Sequence, residues 1–218
     1  MSQAATPESA LQQLQWRYAT KVFDSSKKIP DDAWKVLEQS LVLSPSSFGL
    51  QPWKFFVIEN ADIRQELLGH SWKQAQVVDA SHLVVFAIKK DLNAADVDRY
   101  INRMASVQGV PAENLAGFGG MIKGFMEKPP YPLDMDGWST RQVYIALGQF
   151  MTTAAMMGID TSPLEGFSPS KYDEVLKLGE QGYSSVVVCG AGYRSTDDKY
   201  GEKPKVRYPT EEVVEYIG

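Results

Sequence analysis

The sequence predicts an α+β fold. Three short apolar runs, Lys54–Ile58, Leu83–Ile88 and Ser185–Cys189, have the length and the β-branched or aromatic content of buried strands, and helix-period segments lie between them. No Pro/Gly/Ser-rich linker, repeat or low-complexity tract divides the chain, so residues 1–218 read as one domain. At 218 residues, 44% hydrophobic and 22% charged, it is long enough to bury one sizeable core.

The elements follow from period and punctuation. Thr6-Pro7-Glu8 caps a first helix running to about Tyr18, and Pro30-Asp31-Asp32 opens a second whose Trp34, Leu37 and Leu41 share one face. The loop Ser44-Pro45-Ser46-Ser47-Phe48-Gly49-Leu50-Gln51-Pro52-Trp53 then leads into a strand from Trp53 to Glu59. In it Pro45 and Pro52 fix φ, Gly49 permits close approach, and the serines offer short donors. Asn60 is an N-cap for a helix over Ala61 to Leu68, and a short helix near Trp72 to Val78 precedes the strand that His82 opens.

Residues 93 to 127 read as two helices, interrupted at Gly109-Val110-Pro111 and at Gly117 to Gly120. From Asp136 to Met157, Val143, Leu147, Phe150, Ala154 and Met157 recur at alternating four and three residues, while Tyr144, Ile145 and Met151 widen the apolar surface. Such a helix is buried on most sides, in a domain centre or at a subunit interface. The tail Glu211-Glu212-Val213-Val214-Glu215-Tyr216-Ile217 reads as strand-like.

Several chemistries drop away. The single cysteine, Cys189, lies in an apolar run and reads as core packing. His70 and His82 have no further ligand at metal-site spacing, so no metal is expected. There is no phosphate-binding G-x-x-x-x-G-K-[ST], no G-x-G-x-x-G between a strand and a helix, and no G-x-S-x-G. Net charge of −5 argues against nucleic acid, yet Lys199, Lys203, Lys205 and Arg207 face only Glu202, which suits a small anion. Neither a signal-peptide run nor a bilayer-length apolar stretch is present, so a cytoplasmic protein without a membrane partner is expected. A chain with no evident acid, base or nucleophile, but with cations and a hydroxyl-rich loop, has the make-up of an enzyme whose cofactor carries the chemistry.

The Ser44–Trp53 loop resembles that of the FMN-dependent NAD(P)H nitroreductases, and so do Arg17-Tyr18-Ala19-Thr20-Lys21-Val22-Phe23, Asp79-Ala80-Ser81-His82, Pro163-Leu164-Glu165-Gly166-Phe167 and Lys205-Val206-Arg207, in the family's order. The resemblance implies a nitroreductase-like fold, a mostly antiparallel central sheet flanked by helices, in an intertwined homodimer with FMN at the interface. It implies that Arg17, Lys205 and Arg207 take the flavin phosphate and that Tyr18 and Ala19 belong to the same segment. Lys21 would be the cation beside flavin N1 and the C2 carbonyl, and Ser44, Pro45, Ser46, Ser47 and Gln51 would line the dimethylbenzene or ribityl side. The main chain of Pro163, Leu164, Glu165 and Gly166 would lie beside N5, which makes Lys21, Glu165 and Gly166 the catalytic candidates. Ala19 stands where the family commonly has a hydroxyl, and Lys73 and Gln76 stand at pyrimidine-contact positions usually held by other residues. Residues 92 to 136 correspond to a helical lid, with Phe125 the candidate substrate contact.

The reaction so implied is a ping-pong one, in which NADH or NADPH passes hydride to flavin N5 and a planar oxidised acceptor, such as a nitroaromatic or a quinone, is then reduced in the same pocket. Reductive dehalogenation, flavin destruction and FMN binding without turnover are the alternatives on the same fold.

Overall fold

The computed structural model describes residues 5–218. Helix α1, Pro7–Trp16, starts where expected: the Thr6 side chain accepts from Ser9 N–H, and Pro7 fills a position whose N–H is not needed. Helix α2, Asp31–Val42, turns Trp34, Leu37 and Leu41 inward. Strand β1, Trp53–Ile58, is followed by α3, Ala61–Gly69, capped by the Asn60 side chain on Ile63 N–H. A short α4, Gln76–Asp79, leads to β2, His82–Lys89. Helices α5, Ala94–Gln108, α6, Ala116–Glu127, and α7, Met135–Met156, come next. Strand β3, Asp160–Leu164, α8, Pro169–Val175, β4, Tyr183–Gly192, and the single turn α9, Thr210–Val213, complete the chain.

The four strands form one sheet in the order β1-β2-β4-β3, and every neighbouring pair is antiparallel. Central β2 is apolar on both sides because helices cover both faces. Val84, Phe86, Val187 and Cys189 pack against Trp34, Leu37 and Leu41 of α2 and Val143, Leu147 and Phe150 of α7. On the opposite face Leu83, Val85 and Val188 meet Leu67 of α3, Val77 of α4 and Tyr172 of α8. Phe150 is fully buried, and truncating such a residue to alanine costs about 3–5 kcal/mol. A third cluster joins α5 and α6 to Leu50 and Trp138.

Three sequence expectations need correction. Gly117 to Gly120 does not break a helix: it lies inside α6, where a Cβ on Gly119 would come within 3.2 Å of Ile101 Cγ1, so a small residue lets α6 approach α5. The break is at Gly109, which ends α5 with φ of 67°, and Pro111. The short helix starts at Gln76 and not near Trp72, because Trp72 and Lys73 hold φ of 50° and 57°, outside the helical region. The tail forms the helical turn α9 after Pro209, with Glu211 and Glu212 in its first turn, and no strand follows. On helix α7, Tyr144, Ile145 and Met156 are exposed on this chain.

Among the described residues no helix is long and apolar enough to cross a membrane, and no cluster of His, Cys, Asp and Glu could hold a metal ion.

Candidate active site

The segment after α1 runs along the outer edge of β3. Ala19 bridges Thr161 in the parallel sense, and Thr20 N–H donates to the Thr161 carbonyl at 3.2 Å. Two carboxylates fix this segment. Asp198 accepts from Lys21 N–H at 2.7 Å and Val22 N–H at 3.0 Å. Burial pushes the Asp198 carboxyl up, but the N–H groups of Val22 and Lys21 and the Tyr18 hydroxyl outweigh it and hold the group below the ordinary aspartate value. Asp160 holds Arg194, whose guanidinium also lies 4.2 Å from the Trp16 ring centroid and 4.5 Å from that of Tyr18. Burial, and then the Asp198 carboxylate, push the Tyr18 hydroxyl up to about 12, so it stays neutral.

These anchors place Arg17, Tyr18 and Ala19 on one wall of a cavity of about 430 Å³ whose other wall is Lys203, Pro204, Lys205 and Arg207. The Lys205 ammonium donates to the Arg17 carbonyl, closing the two walls together. No acidic side chain lines the cavity. Burial lowers the pKa of Arg17, and Arg207 lowers it further; Lys205 is lowered by burial and then by Arg17 and Arg207. The three cations therefore repel one another, and a buried Arg17 Nε has no partner among the described residues. A doubly charged phosphate relieves both conditions.

Arg17 reaches past this cavity. Its Nη2 lies 3.9 Å from Met151 Sδ, and Met151 helps line a second cavity of about 400 Å³ with Tyr144, Leu147, Pro163, Glu165 and Val187. Pro163 and Leu164 end β3, and Glu165 and Gly166 form a tight turn closed by Phe167 N–H to the Glu165 carbonyl at 2.9 Å. The Tyr144 hydroxyl donates to the Glu165 carboxylate. The N–H groups of Glu165 and Gly166 donate to no partner among the described residues. An anion pocket thus adjoins a largely apolar pocket that includes Glu165 of this turn, whose two N–H groups are unpaired among the described residues, and this chemistry suits a flavin phosphate and ring.

Other candidate residues lie elsewhere in the chain. Lys21 is exposed, near the first cavity by sequence but not among its lining residues. The loop after α2 spends its groups on itself and on neighbouring helices: Ser46 Oγ accepts from Gln51 N–H, Ser44 Oγ donates to the Ser40 carbonyl of α2, and Ser47 N–H donates to Gln142 Oε1 of α7. Pro45 is exposed, and Gln51 lies beside Tyr100 and Arg103 of α5 and not in either cavity. Lys73 is exposed, whereas Gln76 is buried at the start of α4. Phe125 packs edge-on to Phe48, with centroids 5.1 Å apart, in the third cluster.

Sequence reading missed Asp160, Arg194 and Asp198, which position the Arg17–Lys21 segment, and Tyr144 and Gln74, which touch the Glu165–Gly166 turn. No local signal marks them, because each acts on a residue distant in sequence.

A family model described as the nitroreductase family matches residues 14–193. A candidate NAD(P)H nitroreductase of Staphylococcus aureus is 36% identical over 213 residues, covering 93% of each chain. A candidate nitroreductase of Bacillus subtilis superposes with a TM-score of 0.82 at 20% identity, over 95% of this chain and 98% of that one. One from Exiguobacterium sibiricum, solved in complex with FMN, superposes with a TM-score of 0.78 at 21% identity over 100% of both chains. The family match runs from α1 to the end of β4 and takes in Arg17, the Glu165–Gly166 turn and the sheet that holds them, so the chain belongs to the nitroreductase family.

Proposed function

We propose that this chain is an FMN-dependent NAD(P)H oxidoreductase that reduces planar acceptors such as nitroaromatics and quinones in a ping-pong cycle, as a homodimer. One observation carries the reading: among the described residues, Arg17, Lys205 and Arg207 converge on a cavity without a carboxylate, beside a second cavity lined by Glu165, in a turn with two unpaired backbone N–H groups. Arg17 and Arg207 supply planar donors to phosphate oxygens, and Lys205 adds a compact charge. FMN, when bound, supplies the two-electron hydride chemistry. Lys21, which lines neither cavity of the single chain, would supply positive charge where the reduced ring gains negative charge, and the Glu165 and Gly166 N–H groups would orient the reacting edge of the ring. The apolar Leu147, Met151, Pro163 and Val187 exclude water from that edge and favour flat ligands.

Two features support the wider assembly. Tyr144, Ile145 and Met156 form an exposed apolar face on α7, and Val213, Val214, Tyr216 and Ile217 are exposed on the tail. A second copy of the chain covering these surfaces would bring the Ser44–Gln51 loop of one protomer toward the cavities of the other. The α5 and α6 excursion, residues 92 to 136, then serves as a lid within the single domain, with Phe125 at its inner edge. Sedimentation of the flavin-loaded protein at nanomolar concentration tests the dimer.

Steady-state oxidation of NADH and NADPH with menadione or a nitrofuran tests the activity. Parallel double-reciprocal lines are expected. A flavin-loaded protein that oxidises neither donor would instead be a flavin store or redox sensor.

A further inference from the structure

The Glu165–Gly166 turn is gripped through its acceptors. The Glu165 carbonyl takes Phe167 N–H, the Glu165 carboxylate takes the Tyr144 hydroxyl, and the Gly166 carbonyl takes Gln74 Nε2 at 2.8 Å. The same Gln74 nitrogen lies 3.2 Å from the Ser71 carbonyl, so one amide joins two loops that are far apart in sequence. Only the two N–H donors of the turn have no partner among the described residues.

The loop that carries Gln74 is itself held hard. Ser71 Oγ donates to the Leu67 carbonyl at 2.6 Å and lies 2.6 Å from the hydroxyl of Tyr172, a fully buried residue; Ser168 N–H donates to the His70 carbonyl at 2.9 Å. These contacts keep Trp72 and Lys73 at positive φ, a conformation that costs energy for non-glycine residues and persists where the surroundings over-determine it. Trp72 is 79% exposed, yet a Cβ on Gly166 would come within 2.8 Å of its Cε3 and 2.7 Å of Gln74 Nε2. Gly166 is where the strained loop touches the turn.

We infer that Gln74 is a positioning residue for the cofactor: its amide fixes the Gly166 carbonyl and thereby the aim of the neighbouring Glu165 and Gly166 N–H groups. This rests on the reading that those donors face the flavin ring. Donors aimed at the N5 edge meet a lone pair in the oxidised ring and an N–H in the reduced one, so holding them in place favours the oxidised form. Gln74 therefore acts on the flavin's reduction potential and leaves the phosphate grip at Arg17, Lys205 and Arg207 untouched.

The test is Gln74→Met, which keeps the length of the side chain but removes its N–H donors without adding a charge, with Gln74→Ala beside it. In the apoprotein the Gly166 amide order parameter should fall from the rigid range, about 0.85, to below about 0.6 in both variants. In the FMN-loaded protein both should gain about threefold in the ratio of reduced to oxidised FMN affinity, equivalent to about 15 mV more positive for a two-electron couple. The dissociation constant for oxidised FMN should change less than about threefold, well under one lost charge-assisted contact. A Gln74→Met protein with wild-type potential or wild-type Gly166 order overturns the inference alone. A wild-type protein that takes up no FMN overturns the underlying cofactor reading, and the inference with it.

Discussion

The Arg194 guanidinium donates to the Asp160 carboxylate from Nε at 2.9 Å and from Nη2 at 2.6 Å, and the Arg194 N–H adds a third contact at 2.9 Å. The Asp160 side chain is only 3% exposed, whereas that of Arg194 is 26% exposed, so the carboxylate is the more fully desolvated partner. The pair ties the start of β3 to the end of β4 and leaves Arg194 stacked between Trp16 and Tyr18.

Asp160→Ala should accordingly destabilise the fold by about 3 kcal/mol, because it strands a largely buried guanidinium. Urea denaturation followed by tryptophan fluorescence reads this directly. FMN affinity should fall as well, since Trp16, Tyr18 and the Arg17 segment lose their support. A change below about 0.5 kcal/mol would place the pair among surface ion pairs of little worth.

Most of the frame was legible before any coordinates. The apolar runs at Leu83–Ile88 and Ser185–Cys189 became β2 and β4 because a strand covered by helices on both faces has no need of alternation. Thr6, Asn60 and the paired carboxylates after Pro30 marked helix starts through local hydrogen bonding and charge. The glycines of α6 misled because Gly119 serves a tertiary purpose, to admit Ile101, while Gly117 and Gly120 face open space within the helix. The positive φ at Trp72 and Lys73 was unreadable because it is enforced by Ser71, Tyr172 and Ser168 and not by the residues themselves. Arg17 and Lys205 could be named from motifs, and within one chain they do meet. The service of Asp198 to Lys21 could not be named, being a contact between residues that no spacing rule connects.

His82 stacks on Trp34 with centroids 3.8 Å apart, and burial is the main reason its pKa lies below the ordinary 6.5. The native state thus resists protonation while the unfolded chain accepts it. The sign follows: stability is complete above pH 6.5 and is lost as pH falls through that value toward the lowered native pKa. Thermal midpoints should drop between pH 7.5 and 5.5, and His82→Phe, which keeps a stacked ring without a titrating group, should flatten the drop. An equal slope in the variant would assign it to other groups.

Cys189 is fully buried, and burial pushes its thiol up to about 12. It should therefore resist Ellman's reagent at pH 8 in the native protein and react fully in guanidinium chloride. Rapid native labelling would show that β4 opens readily.

Lys21 and Arg207 should fail in different ways. Arg207→Ala should weaken FMN binding about 10- to 100-fold, the equivalent of one charge-assisted contact. Lys21→Ala should retain FMN and make it harder to reduce. Equal cofactor loss with unchanged potential in both variants would remove Lys21 from the ring.

The central claim is that Arg17, Lys205 and Arg207 form a phosphate site for FMN, and it is tested most directly by titrating apoprotein with FMN and with riboflavin under identical conditions. The two ligands share the ring and the ribityl chain and differ only in the phosphate. FMN should bind at least about a hundredfold more tightly, as expected for two or more charge-assisted contacts. Affinities within about threefold of each other, less than the worth of even one such contact, would contradict the account.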